Sequence, residues 1–62
     1  MNSKEFNMAC ELAKELNGLK YIYIDYLDCA FSKLFDAEDL EGVNVSLVKK
    51  KACESIGLIA TH

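Results

Sequence analysis

The segment LKYIYIDYLDCAFSKLF, residues 19–35, decides which fold this chain can adopt. At about 100° per residue, its apolar side chains cover an arc of about 240° around a helix, and Asp25, Asp28 and Ser32 form the remaining polar sector. In a chain of 62 residues, the short neighbouring segments can cover one side of such a helix. We therefore expect a second copy of the chain or another protein to cover the other side.

The first part of this segment also admits a different interpretation. Residues 20–24, KYIYI, favour a strand by composition, so a strand followed by a helix from Asp25 is the alternative. The three- and four-residue spacing of apolar side chains up to Phe35, without Pro or Gly, favours one helix over 19–35. A strand at 20–24 would need a partner, which we expect to be either residues 43–45 or another subunit.

Two further helices are predicted on either side of this segment. A helix over 4–16 ends at Asn17-Gly18, and this short connection folds the second helix back along the first as an αα-hairpin. A third helix over 46–56 is capped by Ser46 and ends before a frayed tail. Residues 36–41 form a capped turn or a linker, anchored by Leu40. The sequence thus predicts one all-α, three-helix domain over 1–62 that assembles as a homodimer.

Composition points to oligomerisation as the means of stabilising so small a domain. The three cysteines, Cys10, Cys29 and Cys53, have long, unequal spacings typical of reduced core residues rather than of a disulfide framework. The one histidine is His62, so we predict no metal and no cofactor. No signal peptide or membrane span is indicated, and we expect a cytoplasmic protein without membrane contact.

Catalytic groups are scarce in this sequence. No histidine within the domain can activate a cysteine, and no glycine-rich turn after a strand can hold a phosphate. Asp25 and Asp28 lie one helical turn apart, but this pair is typical of a solvated polar sector. We predict that the protein is not an enzyme and has no catalytic residues.

The predicted functional site is a contact surface on the second helix. Tyrosine suits such a surface because it combines a large apolar area with a polar tip. We expect Tyr21 to face an unidentified protein partner, together with the lysine run 49–51. The residues predicted to form the dimer or partner interface are Tyr23, Tyr26, Leu27, Phe31, Leu34 and Phe35.

The lysine run Lys49, Lys50 and Lys51 opposes the dipole of the third helix and therefore needs an explanation. One hypothesis is that the acidic residues of 36–41 screen these charges. The alternative is a helix-turn-helix DNA-binding regulator over 37–56, with 37–41 as its first helix. A net charge of −3 disfavours binding to nucleic acid.

In size, acidity, helical character and lack of catalytic groups, the chain resembles the small accessory proteins encoded in the early regions of temperate lambdoid phages. The resemblance concerns this general character over the whole length and carries over no functional residue. It implies a protein expressed early in infection that binds a host or phage regulator. Such a protein would shift the choice between lysis and lysogeny, or alter host physiology.

Overall fold

The computed structural model describes residues 3–61, with side chains from residue 4 onward, and it is mostly helical. His62 lies outside the described residues. Three helices are present, as predicted, but the second is shorter than predicted and two short strands accompany them. In chain order the elements are α1 (Ser3–Leu16), β1 (Tyr21–Tyr23), α2 (Ile24–Leu34), a 3-10 helix (Ala37–Leu40), α3 (Val45–Ile56) and β2 (Ile59–Thr61).

The prediction of one helix over 19–35 is wrong, because β1 occupies its first part. β1 pairs in parallel with β2, with Tyr21 opposite Ile59 and Tyr23 opposite Thr61. The N–H of Ile59 donates to the carbonyl of Lys20 at 3.0 Å. The partner strand is therefore neither 43–45 nor another subunit, and residues 59–61 are not a frayed tail. Because β1 separates α1 from α2, the predicted αα-hairpin is also absent.

Glycines at the ends of two helices set the direction of the chain into the strands. Gly18 has a φ of +97° just after α1, and Gly57 caps α3 with a φ of +68°. Both values lie in the left-handed region, which glycine enters without steric cost. The N–H of Leu58 then donates to the carbonyl of Cys53 at 2.9 Å. This turn buries Leu58 and brings β2 alongside β1.

The N-terminal cap of α3 is Asn44 rather than the predicted Ser46. The Asn44 side chain accepts a hydrogen bond from the N–H of Leu47 at 3.1 Å. The backbone N–H of Asn44 in turn donates to the Glu5 carboxylate at 2.7 Å. These two bonds satisfy an otherwise unpaired amide of α3 and tie its start to the first turns of α1.

The core forms where α1 packs against α3, with α2 and the inner face of the sheet closing it. Residues 36–41 form a capped turn, in which Asp36 and Asp39 each accept a bond from the other's backbone N–H. Leu40 is half-buried against the core, as predicted. The buried core residues are Met8, Ala9, Leu12, Ala13, Leu16, Ile22, Leu27, Phe31, Phe35, Val48, Ala52, Cys53 and Leu58.

We predict that Phe31→Ala lowers the free energy of unfolding by about 3–5 kcal/mol. The Phe31 side chain is 3% exposed, and its ring centroid lies 5.0 Å from that of Phe35. Removing the Phe31 ring leaves a cavity and removes an aromatic contact, and both lower the free energy of unfolding. Urea denaturation followed by circular dichroism measures this free energy. Phe31→Leu, which keeps more of the side-chain volume, should give a smaller loss.

Phe6→Ala is the matched control, because Phe6 is 64% exposed. We expect this variant to lose about 1 kcal/mol or less. Equal denaturation midpoints for Phe31→Ala and the wild type would contradict the placement of Phe31 in the core.

Candidate protein-interaction surface

All three tyrosines lie on the surface of the protein. Tyr21, Tyr23 and Tyr26 are 66%, 69% and 63% exposed. Along β1, the side chains of Tyr21 and Tyr23 alternate with that of buried Ile22, because successive residues of a strand point to opposite faces. The strand that interrupts the predicted helix therefore turns two aromatic rings outward.

Two further apolar side chains extend this exposed area. Ile59, opposite Tyr21 in the sheet, is 54% exposed. Leu19 is 44% exposed and lines, with Tyr26, a groove of about 380 Å³ between the end of α1 and α2. Tyr23, the N-cap of α2, and Tyr26, one turn further, connect the sheet to this groove. We call Leu19, Tyr21, Tyr23, Tyr26 and Ile59 the tyrosine surface.

The predicted interface residues separate into two groups in the structure. Tyr23 and Tyr26 are exposed and belong to the tyrosine surface. Leu27, Phe31 and Phe35 are buried in the core of the chain itself, and Leu34 is partly buried against it. Leu27, Phe31 and Phe35 are thus covered by the chain itself, whereas Leu34 keeps part of its surface exposed.

Lys49 is held by α2 rather than by the acidic turn. Its Nζ lies 2.6 Å from an Asp28 carboxylate oxygen and 5.1 Å from the centroid of the Phe31 ring. The Lys49 side chain is 24% exposed and that of Asp28 is 53% exposed. Asp28 thus screens the first lysine of the run, whereas Lys50 and Lys51 are exposed.

The segment predicted as the first helix of a helix-turn-helix motif does not have that structure. Residues Ala37–Leu40 form a single turn of 3-10 helix with no buried residue. A helix-turn-helix motif needs an α-helix at this position to hold the second helix against DNA. With Lys49 paired to Asp28, this region presents only Lys50 and Lys51 of the run as exposed cations.

The cysteines differ from the prediction that all three belong to the core. Cys53 is buried, but Cys10 and Cys29 are exposed, and all three are free thiols. Burial raises the pKa of the Cys53 thiol, because a charged thiolate is poorly solvated in an apolar environment. Among residues 3–61 no group of three histidine, cysteine or acidic side chains is placed to share a metal ion.

Two residues of the tyrosine surface, Leu19 and Ile59, are not among the predicted interface residues, and Ile59 lies in an unpredicted strand. Its segment, Leu58-Ile-Ala-Thr61, follows a helix-ending glycine and contains two β-branched residues, which is a weak strand signal. A run of four residues gives too little alternation to show a strand by itself. Its strand character becomes evident only from its pairing with β1.

Comparison of the chain with protein-family models, curated proteins and solved structures gives no match. Within the described part of the chain, no helix has both the length and the apolar character needed to cross a membrane. The functional interpretation therefore depends on the geometry of the exposed side chains.

We predict that maleimide modifies Cys10 and Cys29 quickly in dilute folded protein, and Cys53 much more slowly. Cys53 is only 7% exposed, and its raised pKa lowers the fraction of reactive thiolate near neutral pH. Mass spectrometry of peptides from a labelling time course measures the three rates. In urea the three rates should become similar, and equal rates for Cys53 and Cys10 in the folded protein would contradict the burial of Cys53.

Proposed function

We propose that this chain is a non-enzymatic protein–protein interaction module, acting as a homodimeric regulator or adaptor. The observation that carries the proposal is the tyrosine surface, on which three aromatic rings are each more than 60% exposed. The resemblance to early-region phage proteins suggests a setting for this role. In that setting the module acts in the cytoplasm on a regulator of host or phage development.

The size of the tyrosine surface supports this role. With about 200 Å² of surface per tyrosine side chain, exposed fractions of 63–69% leave about 400 Å² on the three rings together. Each partner in a standard interface contributes about 800 Å². Three tyrosines with Leu19 and Ile59 can thus form the apolar centre of an interface, surrounded by a polar rim.

The chemistry of these residues supports protein rather than nucleic acid as the partner. Tyrosine is enriched at the centre of protein interfaces because its few rotatable bonds reduce the entropy lost on binding. Base stacking on the same rings would need a basic groove nearby. The charges along β1 and α2 are mixed, because Lys20 and Lys33 stand before and after Asp25 and Asp28 in the chain, and the net charge is −3.

Sedimentation equilibrium tests this proposal. We expect the wild-type protein to be dimeric at micromolar concentration. The triple variant Tyr21→Ser, Tyr23→Ser, Tyr26→Ser should be folded and monomeric, because it removes every exposed tyrosine that the homodimer contact can use. Circular dichroism confirms that the variant keeps its helices.

Phe6→Ser is the matched control, since Phe6 is also an exposed aromatic residue but lies near the start of α1, away from the tyrosine surface. It should leave the dimer intact. A folded wild-type protein that sediments as a monomer at high micromolar concentration would contradict the homodimer.

A further inference from the structure

The exposed face of α2 carries an acid, a thiol and a base in one line. Asp25, Cys29 and Lys33 follow each other at intervals of four residues, and all three side chains are exposed. Residues four apart lie on the same face of a helix. At 1.5 Å per residue the line is about 12 Å long, and Cys29 lies at its midpoint.

The charges at the two ends of this line are opposite and unpaired. Asp25 lies in the first turn of α2 and Lys33 in the last turn. Neither side chain has a hydrogen bond or ion pair with another described residue, in contrast to Asp28, which holds Lys49. The face is therefore self-complementary for a second copy running in the opposite direction, since each acid then meets a base. Parallel packing would instead place like charges together.

Apolar side chains lie beside the line formed by Asp25, Cys29 and Lys33. Tyr26 is 63% exposed, and it lines the groove of about 380 Å³ together with Leu19, Cys29, Ala30 and Lys33. In an antiparallel pair centred on Cys29, Tyr26 of the second copy comes level with Ser32. This places its ring beside the Lys33 end of the groove, where it can be buried.

We infer that a second copy of the chain packs its α2 antiparallel against α2, with the twofold axis beside Cys29. Asp25 of each copy pairs with Lys33 of the other, and Tyr26 of each copy enters the groove of the other. This inference rests on the proposed homodimer and specifies its geometry. It leaves the outer face of the sheet, with Tyr21, Tyr23 and Ile59, open to a different protein.

Charge reversal tests this geometry. In Asp25→Lys alone or Lys33→Asp alone, the homodimer contains two like-charged pairs, so its dissociation constant should rise at least about tenfold. In an equimolar mixture of the two variants, both pairs of the heterodimer are again of opposite charge. The heterodimer should therefore bind within about threefold of the wild type, as measured by sedimentation equilibrium or native mass spectrometry.

The mixing experiment distinguishes the loss of ion pairs between the two copies from a weakening of α2 within each copy. Both reversals oppose the dipole of α2 and can weaken the helix, but mixing cannot repair a helix within one chain. Glu11→Lys and Lys14→Glu, two exposed charges of α1, are the matched control pair. Neither of these variants should change the dissociation constant, alone or mixed.

Cross-linking of the native thiols is a second test of the position of the twofold axis. A short bismaleimide reagent should link two wild-type chains through Cys29, and Cys29→Ser should abolish the link, whereas Cys10→Ser should keep it. A wild-type dimer that is insensitive to charge reversal and not linked through Cys29 would overturn this geometry and leave the proposed homodimer standing. A monomeric wild type would overturn both.

Discussion

The parallel pairing of β1 (Tyr21–Tyr23) with β2 (Ile59–Thr61) is the constraint on which the rest of this structure depends. The two strands are far apart in the chain and run in the same direction, so the chain between them must form a crossover connection. Helices α2 and α3 lie in this connection. The pairing also fixes the faces of β1, because a shift of one residue would expose Ile22 and bury the tyrosines. The exposed aromatic surface is therefore a direct result of strand register.

Two surfaces with different chemistry result from this arrangement. The outer face of the sheet is aromatic and uncharged, whereas the exposed face of α2 has opposite charges at its two ends. Tyr26 lies between them, beside the groove that reaches Leu19. A dimer formed through α2 would carry two outer sheet faces, and two identical contact faces on one assembly would favour binding to a partner with repeated or paired sites.

The sequence predicts the helices of this protein better than its strands. The ends of α1 and α3 follow from Gly18 and Gly57, whose effect is local. β1 could not be chosen over a helix, because its partner lies far along the chain and contributes only three residues. The burial of Leu27, Phe31 and Phe35 within the chain itself could not be predicted for a related reason. A helical stripe shows which side chains need cover, but not whether the chain itself covers them. Here the chain itself covers them, in a core where α2 packs against α1 and the two strands.

An isotope-filtered NOE experiment on a mixture of labelled and unlabelled wild-type protein tests most directly whether two copies of the chain associate through Tyr26 and the exposed face of α2. Such an experiment detects only protons of one copy that lie close to protons of the other. We predict intermolecular NOEs from the Tyr26 ring to protons of Cys29, Ser32 or Lys33 in the second copy. A spectrum in which every NOE of the Tyr26 ring is intramolecular, at a concentration where the protein sediments as a dimer, would contradict this interpretation.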